Sequence, residues 1–505
     1  MKNYFLLITM IAFCNHGYSQ LQNANWVFGD SVGLSFSDDS IFTFNSKLGC
    51  WHASATISDS AGQLLFYTNG QSVFNKNHEL MTNGDGLNIA ASGNSEYPYS
   101  QYKQPVLIIP KPNNFNTFYI FHVVGNPDSA SLDYSVVDLN TDDGLGMVVS
   151  KNNHILICYD FFSEDCTTSS GWVNAVRHAN GRDWWLISFA KNIESIDPAK
   201  FIFILITPEG IALPKFQVEL PDYVIDPIYY GSLNQTAISP SGDILAYSVG
   251  NKVDLFQFDR CEGSVKYLYS LDCGSLNAID VIFSSDGSKL YIIANGNTYT
   301  TIRIFQFCFT CGIDVQETKT EIYKNTYSNY EFSNLQLGID NKIYFGYEYK
   351  EGSPIETKSF INTHLSVINE PNNEGLLCDV DTLTIDLGDR IFTGGFPNII
   401  DFDLGVLYHS GCDTISTEIN NIQASSAIQI YPNPANEYIY ISSETYKNEK
   451  CLLELYNSTG TLVSRYEKVF VNETIQLPKL NYGVYLAVIT TSSGKQFSEK
   501  LVITE

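Results

Sequence analysis

The sequence predicts an all-β chain: an array of small antiparallel sheets, then a short β-rich unit at the C-terminus. Three observations predict it. The stretch 234–259, NQTAISPSGDILAYSVGNKVDLFQFD, alternates apolar and polar residues with period two and breaks at Gly/Ser/Pro turns, which marks antiparallel strands each too short to fold alone. The same phrase returns at 281–307 as VIFSSDGSKLYIIANGNTYTTIRIFQF. Helical periodicity is nearly absent, and the 13% aromatic content is rich in Tyr and Phe, residues that suit pleated surfaces.

Taken in order, the chain opens with an export signal. Lys2 is the positive start, 4–13 is a short apolar core, and Gly17-Tyr18-Ser19 sets small residues for cleavage before Gln20, so 1–19 read as a signal peptide. The run is too short to span a membrane comfortably, and no later stretch is long enough to cross one as a helix. Phe13 before Cys14 departs from a lipidation signal.

From residue 20 to 402 the repeat recurs six times. Its second strands fall at 64–67, 118–121, 184–187, 244–248, 290–293 and 343–346, and its third strands at 72–75, 134–138, 201–207, 253–258, 302–307 and 365–368. Gly, Asn or Pro turns precede the second strands. The spacing of about 45 to 65 residues is that of propeller blades with long loops added, a WD40-like architecture. The ends supply fragments of one more blade: 25–29 (NWVFG) and 34–36 at the start, 396–402 (FPNIIDF) at the finish. Pairing 396–400 with 26–28 would remove two open edges. Seven blades follow, with six or eight as alternatives. A polar stretch, 403–427, then reads as a linker, and 428–505 as a small β-sandwich with turns at Gly460 and Gly483.

Two resemblances stand on quoted residues. NWVFG at 25–29, ATISDSAGQLLFYTNG at 55–70, Pro110-Lys111-Pro112 and RHANGRDWW at 177–185 resemble a family of exported bacterial propellers, over roughly 25–402; that family supplies no catalytic residues to carry over. IYPNPA at 430–435, LLELYNSTGTLV at 452–463, LNYGVYL at 480–486 and KLVI at 500–503 resemble the type A C-terminal sorting domain of type IX secretion. That resemblance marks Pro432, Asn433, Pro434, Gly460, Gly483 and Lys500 as sorting-motif positions. It implies the type IX machinery as a partner and a secreted or outer-surface destination.

Composition narrows the function. Fifty-five acidic against 29 basic residues, a formal charge of −26, exclude nucleic acid, whose phosphates need basic patches. In an oxidising compartment the cysteines read as disulfide candidates: Cys158/Cys166, Cys261/Cys273, Cys308/Cys311 and, at longer range, Cys378/Cys412, with Cys50 and Cys451 unpartnered. Cys308-x-x-Cys311 has no second CxxC and no nearby His, so it is a structural pair rather than a zinc or redox site. Nucleophile elbow, HExxH and phosphate loop are all absent, so no catalytic residue, metal or cofactor is assigned. The one calcium-like run, Asp138-x-Asn140-x-Asp142, has its Gly one residue late and Val149 where a terminal Glu belongs. Ser284-Ser285-Asp286-Gly287 reads as a turn, RHANGRDWW as a structural hairpin, and adjacent Trp184 and Trp185 as facing opposite sides.

The expected function is therefore a non-catalytic binding or adhesion propeller exported by type IX secretion, its ligand a glycan or protein. The alternatives are a secreted carbohydrate-active hydrolase or lyase, for which Asp226, Asp280 and Asp403 would converge near the axis, and a structural surface-layer component. Long insertions, 77–104, 190–200, 295–300 and 347–363, belong on one face, and there Tyr97, Tyr99, Tyr102, Tyr299, Tyr347 and Tyr349 are the candidate ligand-binding residues.

Overall fold

The computed structural model describes residues 21–37, 40–87, 104–124, 131–156, 168–169, 171–191, 200–217, 235–296, 302–327, 329–332, 334–349, 358–413, 429–443, 446, 450–457, 462–491 and 496–504. The signal peptide, Cys158, Cys166, Tyr97, Tyr99, Tyr102, Tyr299, Asp226 and Gly460 lie outside the described residues. The chain divides into two compact units, 1–413 and 414–505, and both are all-β.

Among the described residues, seven antiparallel sheets of three or more strands follow one another in the first unit, beside a two-stranded one. The first holds Asn25–Phe28, Asp30–Ser37 and Ser40–Gly49, and the second Ala55–Ser58, Leu64–Thr68 and Val73–Asn75. The third runs Val106–Pro110, Thr117–Val124, Ser131–Asp138, Met147–Leu156 as a simple meander. The fourth is built on Asn174–Arg177, Trp184–Lys191 and Lys200–Thr207; the fifth is Thr236–Ile238, Ile244–Val249, Lys252–Asp259, Ser264–Asp272. The sixth is Asn277–Phe283, Lys289–Asn295, Arg303–Cys308, Thr320–Lys324, and the seventh Leu335–Leu337, Ile343–Gly346, His364–Ile368, Val380–Asp386.

Each sheet packs face to face on the next, which explains why the second strands are apolar almost throughout. In Lys289–Asn295, Leu290 and Ile292 face the fifth sheet's Val253 and Leu255, while Tyr291 and Ile293 face the seventh sheet's Ile343 and Phe345. Alternate side chains point to opposite faces, and here both faces are buried. Trp184 and Trp185 divide in the same way: Trp184 joins the cluster shared with the second and third sheets, Trp185 the cluster shared with the fifth. The seventh sheet in turn packs on the first, through Tyr344, Leu365 and Val367 against Trp26, Phe28 and Leu34.

That last junction differs from the expected one. The first sheet takes all three of its strands from the N-terminus, and 396–400 form no strand and pair with none. Phe396 instead packs its ring on Trp26 and Phe28, at 5.5 and 5.0 Å, and among the described residues the isolated bridge at this junction is Asp30 N–H to Ile391 O at 3.0 Å. The strand Ser40–Gly49, unread in the sequence because Phe42 and much of its length are exposed, completes the first sheet on its far side by pairing with Asp30–Ser37, while the outward edge of Asn25–Phe28 gives its Val27 N–H to Thr56 Oγ1 of the second sheet at 3.0 Å.

The second unit has a three-stranded sheet (Gln429–Tyr431, Tyr438–Ser442, Thr474–Gln476) and a four-stranded one (Leu462–Phe470, Lys450–Tyr456, Gly483–Thr491, Gln496–Ile503). Ile430, Ile439 and Ile475 of the one share a core with Leu453, Ile489 and Leu501 of the other, as in a small sandwich.

Candidate functional site

Segment 391–413, which follows the seventh sheet, organises the first unit's candidate site. It runs along the first strands of the sheets. Asn398 donates its backbone N–H to Ser54 O (2.8 Å) and its side-chain Nδ2 to Val106 O (3.0 Å) and Val173 O (2.9 Å). Asn23 Nδ2 donates to Ile400 O at 2.8 Å. Phe402 meets the Trp184 ring edge-on at 5.5 Å. Gly394, with φ +100°, is obligatory: a Cβ there would run into Glu348 Oε2 and into His52 Nε2, which are hydrogen-bonded to each other at 3.0 Å.

The segment then docks on the RHANGRDWW turn, which explains that motif. Arg260 donates Nε to Arg177 O (2.8 Å) and Nη2 to Gly405 O (2.7 Å), and Leu407 N–H donates to Ala179 O (2.8 Å). Gly181 leaves room for Val406, whose backbone nitrogen would stand 2.7 Å from a Cβ. His178 Nδ1 accepts from Asn180 N–H, so Nε2 carries the proton donated to Cys261 O at 3.1 Å. Arg177 lies over the Trp184 ring at 3.7 Å, and burial pulls its guanidinium down to about 10 against the opposing pull of Asp401. Residues 403–413, expected to begin the linker, thus belong to the first unit.

The disulfides follow from this docking. Cys261 bonds Cys412, with Cα atoms 5.7 Å apart, and Cys308 bonds Cys311. The Cys261/Cys273 pairing is overturned because the nine-residue strand Ser264–Asp272 stands between them, about 30 Å at 3.3 Å per residue, far beyond disulfide reach. Cys273 is buried between the fifth and sixth sheets, where burial pushes its thiol up to about 12. The Cys378/Cys412 pairing fails as well, since Cys378 is a free buried thiol in the core between the sixth and seventh sheets. Non-reducing peptide mapping of the purified protein is expected to recover a Cys261–Cys412 peptide, with Cys50, Cys273, Cys378 and Cys451 labelled as free thiols only after unfolding. A Cys412→Ser chain should lose about 2–5 kcal/mol of stability.

Beside the segment lies a cavity of about 650 Å³. Its walls are the first strands of the fourth to seventh sheets (Asn174–Val176, Gln235–Ile238, Asp280–Phe283, Leu335–Leu337) and 396–404. The lining reaches the short turns at Pro240, Ser285 and Asn341. Amides dominate its polar surface. Gln104 Oε1 accepts from Thr236 N–H (3.1 Å), and Asn174 Nδ2 donates to Thr236 Oγ1 (3.2 Å). Asn334 Oδ1 accepts Phe396 N–H (2.8 Å) while its Nδ2 donates to Gln235 Oε1 (3.2 Å). Of the acids once expected near an axis, Asp280 and Asp403 line the cavity together with Asp401. Asp280 accepts backbone N–H groups from Val281 (2.8 Å) and Leu335, a role in holding strands.

Sequence reasoning missed Asn174, Gln235, Asn334 and Asn398. The signal available was an amide heading the first strand of successive repeats, in VNAV, NQTAI and SNLQL, and again in PNII.

Of the tyrosines assigned to ligand binding, Tyr347 is corrected. It is fully buried, with its hydroxyl 2.6 Å from that of Tyr323 and its ring edge-on to Tyr327 at 5.3 Å. Tyr349 is half-buried and packs on Tyr330 at 5.4 Å, where Tyr330–Glu331 pairs with Glu348–Tyr349. These rings pack the start of the 347–363 insertion, Tyr347–Tyr349, against Tyr323, Tyr327 and Tyr330. Tyr347→Phe is expected to cost about 1 kcal/mol in denaturant unfolding through the lost hydroxyl bond.

The calcium-like run is likewise a turn: Asn140 N–H and Nδ2 both donate to Asp138 Oδ1 at 2.9 Å. Among the described residues no group of three or more His, Cys, Asp or Glu is arranged to hold a metal.

In the second unit, Pro432-Asn433-Pro434 is strapped to the last strand. Neither proline has an N–H to give, and the Asn433 side chain bonds in their place: Nδ2 donates to Lys500 O and Oδ1 accepts Val502 N–H at 2.9 Å. Ala435 completes the strap, donating to Val502 O at 2.7 Å. Gly483 begins the strand Gly483–Thr491. Residues 429–504 match the secretion system C-terminal sorting domain.

The sorting domain assigns the protein to type IX export, to the cell surface or beyond it, with the type IX machinery as its partner. Among the described residues no helix is long and apolar enough to cross a membrane. An 83-residue stretch is 30% identical to Beta-agarase D of Zobellia galactanivorans; it covers 16% of this chain and 16% of that relative's length. Among solved structures, the chain is similar to a 6-phosphogluconolactonase candidate of Bacteroides fragilis, at 12% identity and a TM-score of 0.43, over 75% of this chain and 98% of the other. It is also similar to the beta-propeller domain of Cps50 from Myceliophteria thermophila, at 10% identity and a TM-score of 0.31, over 70% of this chain and 83% of that one.

Proposed function

We propose that the first unit is a closed seven-bladed propeller which, once delivered by the sorting domain, binds a ligand at or beyond the cell surface without catalysis. The observation that carries the reading is the amide-lined cavity beside 396–404. Its volume of about 650 Å³ falls in the range of small-molecule sites, which are apolar hollows with a few placed polar groups. Closure is supported by the run of sheet-on-sheet packing that returns from the seventh sheet to the first. In this reading 391–413 is the propeller's axial segment: it fills the side of the axis next to the first three sheets and leaves the cavity against the other four.

A secreted carbohydrate-active enzyme is the second reading, favoured by Asp280, Asp401 and Asp403 in the lining of one cavity. One experiment separates the two. The mature chain, 20–505, is screened on immobilised surface glycans and surface proteins, beside a Leu337→Trp variant that fills the cavity with a larger ring. Binding retained by the parent and lost by the folded variant, with no release of reducing ends from the captured glycan, is the expected result. Binding that is indifferent to the filled cavity would refute the site, and reducing-end release would favour the enzyme.

A further inference from the structure

The hydrogen-bond polarity of the cavity specifies its ligand. The Phe396 N–H can only donate, so the Asn334 atom facing it at 2.8 Å is the oxygen. Asn334 Nδ2 therefore points to Gln235 Oε1 (3.2 Å) and Asp280 Oδ2 (3.4 Å). The Gln235 oxygen is thus taken, and the donor end of that amide is left over, an orientation set by the network. Gln235 is 1% exposed, and its Nε2 has no hydrogen-bond partner among the described residues. A buried amide donor in that state is costly. Asn23 presents the opposite need: its Nδ2 is spent on Ile400 O, and its buried Oδ1 has no partner. Both residues line the cavity, and Ile282, Leu337 and Ile399 supply apolar wall. Its charges are all of one sign, Asp280, Asp401 and Asp403, with no Lys, Arg or His in the lining.

We infer that the cavity takes a neutral saccharide, a pyranose unit whose hydroxyls accept from Gln235 Nε2 and donate to Asn23 Oδ1. The inference rests on the binding reading above. A hydroxyl is donor and acceptor at once, so one class of group meets both orphaned atoms, while the C–H faces of the ring lie on the aliphatic wall. Uronates and sulfated sugars are disfavoured by charge: their anions would be desolvated beside three lining carboxylates, and the nearest guanidiniums, Arg177 and Arg260, act on Asp401 from outside the lining.

The test is calorimetric titration of the mature chain with cellohexaose, laminarihexaose, mannohexaose and xylohexaose as neutral probes, hexagalacturonate as the anionic probe, and calcium chloride alone. At least one neutral hexamer is expected to bind and hexagalacturonate is not. Gln235→Glu, which replaces the free donor with a fourth carboxylate, should weaken that binding at least about tenfold, the effect of one charge-opposed hydrogen bond. Should Gln235→Glu fail to fold, Asn23→Ala at the partly buried rim keeps the test, with a weakening of about threefold to tenfold. Binding of hexagalacturonate or calcium with all four neutral hexamers inert, and its loss in Gln235→Glu, would overturn the saccharide class while leaving the cavity as a site. No heat from any of the six probes would count against the class and the site together.

Discussion

A chain ending at Asp413 is expected to fold and to go no further than the periplasm. The two cores share no residue: the sorting domain's is closed among 430–503, and the first unit keeps its sheets, segment 391–413 and the Cys261–Cys412 bond when 414–505 are removed. What is lost is the domain that addresses the protein to type IX export. Fractionation should find the full chain at the cell surface or in the medium and the truncated chain, protease-resistant and oxidised, inside the outer membrane. Surface delivery of the truncated chain would show that export is addressed elsewhere in the molecule.

Trp26→Ala is expected to produce the largest loss of stability of any single substitution considered. Trp26 is fully buried where the seventh sheet meets the first, with Phe36 at 4.6 Å, Phe396 at 5.5 Å and Tyr344 at 5.6 Å. Its indole N–H has no hydrogen-bond partner among the described residues, so the change removes packing alone. Emptying a Trp-sized site typically costs about 3–5 kcal/mol. Because the seventh sheet packs on the first at this junction, the loss should appear as a lower denaturant midpoint together with early protease cleavage near 391–400. Phe115→Ala, at a ring 89% exposed, is the control and should stay within about 0.5 kcal/mol of the parent. A Trp26→Ala midpoint within 1 kcal/mol of the parent would mean that the seventh and first sheets are not a cooperative seam.

Much of the architecture was legible because it is local. A strand with both faces buried must be apolar at consecutive positions, and a turn must hold Gly, Asn or Pro, so the second and third strands of six repeats stand where the pattern puts them. The sorting domain was legible for a related reason: in Pro432-Asn433-Pro434 the prolines cannot donate and one amide must, and the partner strand ends the chain as KLVI. Cys308/Cys311 is a pair three residues apart, and the structure bonds it.

What was not legible depends on approach between distant parts. Segment 396–402 has the composition of a strand, and only the first strands beside it decide that it spends its polar groups on Ser54, Val106, Val173 and Asn334. Cys261 looked nearest to Cys273 in sequence, but a strand carries its two ends apart, and segment 391–413 brings Cys412 to the turn. Tyr347 looked like a loop aromatic until Tyr323 and Tyr327 closed over it. By itself, the sequence determined the all-β class, the repeat and the export address, because strand periodicity, turn chemistry and a contiguous motif are short-range properties. The tertiary structure alone decided which sheets meet, which thiols meet and where a cavity lies. Those depend on which first strands face 391–413, and the free Gln235 donor arises only when Phe396 N–H, some sixty residues beyond Asn334 in the chain, turns that amide.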